Sequence, residues 1–258
     1  MHTKGFSVVA VLCAAAGTWG APAGAQMAEV KEKPPMYTYV SNWAVPRARW
    51  ADMEKASAND QKIMDKAMAG GGLVGYGDDT NLVHETEGST HDNWMSAMSM
   101  AGVFNALDEI YKVGGATIPV YSSATKHWDN LYISRYYNWH AGTYKGAYTH
   151  VANYQLRATA PDDSIETLAK GFAVPLLEKL LADGTIIEYE IDVQAIHTED
   201  PGSFAILYIT PTADGLDKAN AALAEAIRKT PLLGTALDSM VDFTKHRDSL
   251  TRTTATYK

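Results

Sequence analysis

The sequence predicts an α+β protein in which one six-element unit, strand–helix–strand–strand–helix–strand, is written twice in a single chain. Three observations lead there. Tyr37-Thr38-Tyr39-Val40-Ser41-Asn42-Trp43-Ala44-Val45 returns 111 residues later as Tyr148-Thr149-His150-Val151-Ala152-Asn153-Tyr154-Gln155-Leu156. Thr125-Lys126-His127-Trp128-Asp129-Asn130-Leu131 returns 119 residues later as Thr244-Lys245-His246-Arg247-Asp248-Ser249-Leu250. Between these landmarks the hydrophobic periodicity passes through the same order of elements in both halves. Similar steps at both ends of a segment mark one unit copied, and an internal repeat governs the fold.

Residues 1–25 stand apart. Lys4, the apolar run 6–16 and the small residues Ala23-Gly24-Ala25 predict a secretory signal peptide cleaved near Ala25/Gln26. The expected location is therefore outside the cytoplasm, in a periplasm or the external medium. The only cysteine, Cys13, leaves with that segment, so the mature chain is expected to fold without disulfides. Loss of Lys4 takes the net charge of −8 to −9. An acidic chain without a Lys/Arg cluster is a poor partner for nucleic acid or anionic membrane. No later stretch offers the ~20 apolar residues of a membrane helix.

Residues 26–35 end in Pro34-Pro35 and read as an extended lead-in. The first unit, 36–141, opens with strand 37–45, whose large and small side chains alternate. Helix 47–69 follows (Trp50, Met53, Ile63, Met64, Ala67, Met68) and stops at Gly70-Gly71-Gly72. Strands 73–84 and 91–100, helix 102–113 and strand 127–139 complete it. Residues 139–147, with Gly142 and Gly146, are expected as the link.

The second unit, 147–258, repeats the order: strand 148–156, then a helix opened by Pro161-Asp162-Asp163-Ser164 and running to Ala182. Strand 185–197 alternates Ile187, Tyr189, Ile191 and Val193 with Glu188, Glu190, Asp192 and Gln194, the pattern of a half-exposed strand. Strand 204–210, helix 213–229, an extra short helix 232–243 and strand 246–257 follow.

This order is the split βαβ arrangement of a ferredoxin-like βαββαβ unit. Such a sheet carries helices on one face and leaves the other bare, and a second copy can bury it. Over residues 36–258 the chain therefore resembles the dimeric α/β-barrel superfamily in tandem form, two sheets closed into one barrel. Its strand openings are like those of the stress-responsive and antibiotic-monooxygenase-type branches. His150 falls where the stress-responsive branch often carries a first-strand histidine; the first copy has Tyr39 there. The resemblance implies a small-molecule site, as a binding protein or as a cofactor-independent oxygenase or isomerase. It also implies a monomer or weak homodimer, since one chain closes the barrel. Some barrels of the superfamily bind haem through histidine, but no residue here marks an axial ligand, and the cofactor is left unknown.

Candidate chemistry concentrates on the first strands. One face presents Tyr37, Tyr39, Ser41 and Trp43 against Tyr148, His150, Ala152 and Tyr154; the other presents Asn42 and Asn153. Aromatics with a few polar groups suit a small, aromatic or apolar ligand, and equally suit a packed barrel. The expected site has His150 as acid or base. Tyr39, Trp43 and Tyr154 would hold the ligand, with Asn42 or Asn153 as polar anchor. It would lie where first-strand aromatics of the second copy meet the last strand of the first. His127 and Asp129, like His246 and Asp248, stand two apart on one strand face, the spacing of a carboxylate-supported base. Ion pairs from Arg135 to Asp129 and from Arg252 to Asp248 are the structural alternative. His84 and His91 with Glu85 or Glu87 would suit a divalent metal, but the spacing is not specific and no metal site is assigned. The alternative function is a non-enzymatic exported domain with a filled barrel and acidic outer faces that meet a partner.

Overall fold

The computed structural model describes residues 30–84, 88–113 and 118–258. Strands β1 (Met36–Ala44), β2 (Gly75–Asn81), β3 (His91–Ala97) and β4 (Lys126–Trp139) form one antiparallel sheet in the order β4-β1-β3-β2. Strands β5 (Gly142–Gln155), β6 (Glu188–Gln194), β7 (Ser203–Thr210) and β8 (Arg247–Tyr257) form its copy, β8-β5-β7-β6. Pairing of β2 with β8 and of β4 with β6 closes the two sheets into an eight-stranded barrel. Closure within one chain leaves no sheet edge to pair elsewhere.

The two recurring stretches turn out to be one strand pair. In β1/β4 Ser41 lies opposite Asp129 and Tyr39 opposite Leu131. In β5/β8 Ala152 lies opposite Asp248 and His150 opposite Leu250, the same register. The repeat therefore preserved a pairing as well as two sequences.

Helices α1 (Trp50–Ala69), α2 (Met100–Lys112) and the short α3 (Pro119–Ser122) cover the first sheet. On the second, α4 (Ser164–Leu168), a π-turn (Ala169–Ala173) and α5 (Val174–Ala182) run on continuously, followed by α6 (Ala213–Lys229) and α7 (Pro231–Met240). Ser99 caps α2 by accepting from the Gly102 amide, and Thr212 caps α6 by accepting from Gly215. Both caps end a strand-to-helix turn whose glycine admits close packing, because a Cβ at Gly102 would sit 2.4 Å from the Gly72 carbonyl oxygen. Of the buried clusters, the two largest lie under the helices, one on each sheet. Tyr39, Met64, Leu73, Tyr76, Met95, Val103 and Leu131 fill the first. Leu177, Leu180, Leu181, Ile186, Tyr189 and Ile191 belong to the second.

Three expectations need correction. Residues 142–146, expected as a link, are the start of β5, and Gly146 (φ +70) sits in a bulge between Lys145 and Ala147. The glycine that suggested a loop supplies the left-handed residue a bulge needs. Strand β2 stops at Asn81 rather than 84. Strand β6 is buried on both faces, with Glu188, Glu190 and Asp192 no more than 2% exposed. Alternation usually means one wet face, but here the polar face is the inside of the barrel. Of the lead-in, Lys33 donates its amide to the Arg135 carbonyl, and Pro34 accepts from the Tyr137 hydroxyl. The predicted signal peptide and Glu85–Glu87 lie outside the described residues, and among those described no helix is long and apolar enough to cross a membrane.

Candidate functional site

The strand pairing fixes which side chains meet. On the helix side of the first sheet, His127 Nε2 lies 3.0 Å from Asp129 and 3.0 Å from Ser41 Oγ. Trp43 stacks on the imidazole at 3.7 Å between ring centroids. Tyr39 lies beside Asp129; burial, reinforced by that carboxylate, pushes its phenol well above the ordinary range, so it stays protonated. The arginines go elsewhere: Arg135 reaches Glu32 at 3.6 Å and Arg252 lies over Tyr148. The expected Arg135–Asp129 pair is thus replaced by His127–Asp129, and Arg252 leaves Asp248 to two histidines.

These residues form one wall of a partly enclosed pocket of about 340 Å³ between the sheet and α1–α3. The opposite walls bring Asp60, Gln61 and Met64 from α1, Leu107, Ile110 and Tyr111 from α2, and Tyr121 from α3. Tyr121 packs on Trp43 at 4.6 Å and donates to Asp60 (2.8 Å). Asp78, on the floor, accepts from Gln61 and Asn93, each at 2.5 Å. Burial raises the carboxyls of both Asp60 and Asp78 above the usual aspartate range, against the pull of these donors. The pocket therefore combines aromatic walls, two carboxyls with raised pKa and one histidine beside a carboxylate.

The second unit repeats the wall without the pocket shape. His246 Nε2 is 3.2 Å from Asp248, and Tyr154 stacks on His246 at 4.5 Å as Trp43 does on His127. His246 Nδ1 also donates to the Asn153 carbonyl at 2.9 Å, so both ring nitrogens are engaged. Phe243 stands edge-on to both rings, and Met240 and Val241 pack behind them with Phe204 and Leu168. His150 lies 3.4 Å from Asp248 and stacks on Tyr208; its desolvation outweighs that carboxylate and lowers its pKa, favouring the neutral ring.

The six residues expected to form one site are thus distributed over three places. Tyr39 and Trp43 line the first-unit pocket, while His150 faces the helices of the second unit. Asn42 and Asn153 point into the barrel, and Tyr154 reaches the barrel mouth. The amide face of the first strands looks inward and the aromatic face outward. Asp60, Asp78 and Tyr121 carry no sequence signal of a site, since strand–helix packing alone brings them together.

The barrel interior is itself a cavity. It holds about 150 Å³ of space lined by Thr38, Thr149 and Thr251 and by Asp79, Asp92, Glu190 and Asp192. Trp94, Tyr257 and Trp139 stack across one end, with centroids 5.5 and 5.9 Å apart. The other end opens into a polar mouth of about 510 Å³, with Asn42, Asn81, Asn130, Asn153, Trp128 and Tyr132 among its walls.

Among the described residues no three His, Cys, Asp or Glu side chains are arranged to hold a metal ion. His91 accepts or donates at Thr90 through Nδ1, and burial takes its pKa down to about 4.

A closed antiparallel barrel of two ferredoxin-like units, with helices outside and a pocket between sheet and helices, defines the dimeric α/β-barrel fold, here in tandem form. Solved structures agree. A proposed monooxygenase from Lactobacillus acidophilus superposes with a TM-score of 0.63 at 9% identity, covering 87% of this chain and 97% of that one. One from Fusobacterium nucleatum gives 0.61 at 10% identity, covering 88% and 95%. No family model and no curated relative matches the sequence.

Proposed function

We propose that the first-unit pocket binds a small planar aromatic molecule and transforms it without a bound cofactor, as an oxygenase or an isomerase. The observation that carries this is the state of His127. His127 Nε2 lies 3.0 Å from both Asp129 and Ser41 Oγ, and when the ring proton sits on that nitrogen Nδ1 keeps its lone pair. His246 in the other unit uses its Nδ1 on a carbonyl, so only the first unit retains a base beside a pocket. The volume, about 340 Å³, is in the range of small-molecule sites. The fold neighbours described as proposed monooxygenases fit the same reading.

In this scheme Tyr39, Trp43 and Tyr121 line the walls around the ligand ring, and His127 removes a proton from an acidic O–H or C–H. In the isomerase case His127 returns the proton to a second carbon of the anion; in the oxygenase case the carbanion forms a C–O bond with dioxygen, which is reduced to a peroxide, and His127 protonates it to the hydroperoxide. We further propose that the protein acts after export, with Gln26 as the mature N-terminus; N-terminal sequencing of the protein from its host tests that separately.

The functional test uses 1-naphthol and dihydroxynaphthalenes as probes, with Trp fluorescence for binding and an oxygen electrode plus product analysis for turnover. His127→Phe keeps the stack on Trp43 but removes the base, and should abolish turnover while leaving affinity within about threefold. His150→Phe should change neither. Turnover that survives His127→Phe and disappears in His150→Phe would move the chemistry to the second unit.

A further inference from the structure

We propose that the barrel lumen is a second binding site, independent of the helix-side pocket, and that it takes a small aliphatic diamine as the dication. Four carboxyl groups line the lumen, Asp79 from β2, Asp92 from β3, and Glu190 and Asp192 from β6, and a fifth, Glu188, lies fully buried two residues before Glu190 on the same strand face. In the closed barrel β2 and β6 stand on opposite walls. Asp79 and Asp92 are direct cross-strand partners, a like-charged pairing that a sheet normally avoids. Among the described residues no lysine, arginine or histidine lines the interior cavity.

The hydrogen bonding is incomplete in a directed way. Glu190 accepts from Thr38 (3.0 Å) and Ser134 (3.2 Å), Asp192 accepts from Ser134, and Asp92 accepts from Asn81 (3.1 Å). One oxygen of Asp79, one of Asp92 and both of Glu188 have no partner, although Asp79 is 7% exposed and Glu188 fully buried. Buried polar groups without partners are rare and costly. Here they share one enclosed space and, once ionised, would carry one sign, so a donor with positive charge is the partner that would satisfy them.

A metal ion is the poorer candidate, because the oxygens are spread over two walls and do not converge on a point. A chain with an ammonium group at each end matches that spread, and each ammonium supplies three donors. Capacity agrees: about 150 Å³ is the size of a cavity that holds benzene, roughly six heavy atoms, as in 1,4-diaminobutane. Access is through the mouth, whose walls share Asn42, Tyr132, Asn153 and Ser249 with the lumen. The mouth's own charges are largely spent locally, Lys245 on Asp200 at 2.9 Å and Arg247 on the Thr244 and His246 carbonyls.

The probe is 1,4-diaminobutane, titrated calorimetrically into the intact protein at about pH 6 and about pH 9, with 1,4-butanediol and magnesium chloride at matched ionic strength. The groups that face the ligand are the four lining carboxyls with Glu188 next to Glu190, Tyr132 and Tyr257, with Glu199, Asp200, Lys245 and Arg247 at the mouth. Burial holds the lumen carboxyls protonated to higher pH than usual, Asp79 to about 8 and Asp92 and Asp192 to about 6. Diamine binding should therefore be one to one, tighter at the higher pH, and accompanied by proton release read from buffers of different ionisation enthalpy. Asp92→Asn should weaken it at least about tenfold, and His127→Phe should leave it unchanged. Absence of saturable binding at concentrations on the order of 1 mM, equal binding of the diol, an equal response to magnesium, or unchanged affinity in Asp92→Asn would each overturn the proposal. If Asp92→Asn fails to fold, proton release by the unaltered protein decides it alone.

Discussion

Replacing Asp79 with asparagine should stabilise the protein in alkaline solution and leave it nearly unchanged in acid. Asp79 is 7% exposed and lies opposite Asp92. Burial, opposed by the Thr253 hydroxyl and reinforced by Asp92, raises its pKa from 3.8 to about 8. The folded state thus holds this proton more tightly than the unfolded chain does. The corresponding stability is fully present below about pH 4 and is lost progressively as pH rises to about 8. At about 1.4 kcal/mol per pH unit, the span from 3.8 to about 8 sets an upper bound of roughly 6 kcal/mol. Water or a cation entering the lumen reduces that, so about 3 kcal/mol is the working figure. Asp79→Asn keeps the shape and cannot ionise. The assay is urea unfolding of both proteins at several pH values between about 5 and 9, reported as the difference between them, which cancels the shared titration of Glu188, Glu190 and Asp192. The variant should gain on the wild type by about 3 kcal/mol across that range. A difference that stays constant with pH would mean Asp79 holds no proton in the folded barrel, and the acid-lumen argument would fail with it.

Two further outcomes follow from packing. A Cβ at Gly77 would lie 2.5 Å from Trp94 Cζ2 and 2.8 Å from the Thr254 carbonyl oxygen, and Trp94 cannot retreat because it packs on Tyr257. Gly77→Ala should cost about 1–3 kcal/mol in urea unfolding, and an unchanged midpoint would show that the aromatic end of the barrel is looser than described. Phe243 is 42% exposed, so Phe243→Ala should cost less than the ~3–5 kcal/mol of a fully buried phenylalanine. It should also speed diethylpyrocarbonate labelling of His246 severalfold, and unchanged labelling would mean Phe243 does not cover that ring.

The architecture was legible because duplication makes a fold visible twice. The matched residues Tyr37/Tyr148, Asn42/Asn153, His127/His246 and Asp129/Asp248 mark the same two strands, and their pairing register is identical in the two sheets. The strand faces were not legible. Alternation in 37–45 separates Tyr39 and Trp43 from Asn42 but does not say which set meets the helices. The usual rule that the polar face is the wet one misassigned β6, because two sheets packed bare face to bare face enclosed its acids. Tyr121 and Asp60 reach Trp43 only through the docking of α1 and α3, a tertiary contact with no local pattern.

The difference between the two units follows from what occupies the space in front of the shared histidine–aspartate wall. In the first unit the segment before β4 is the four-residue α3, whose Tyr121 leans on Trp43 and leaves the pocket in place. In the second, the ten-residue α7 and the turn Phe243–Lys245 fill that position, with Phe243 edge-on to His246 and Tyr154. The pinned Nδ1 of His246 and the desolvated His150, its pKa lowered by burial, are what a closed version of the site should contain. The same wall thus has a filled front in the second unit and an open one in the first. Copying the unit let one half keep the cavity while the other sealed its own and closed the barrel.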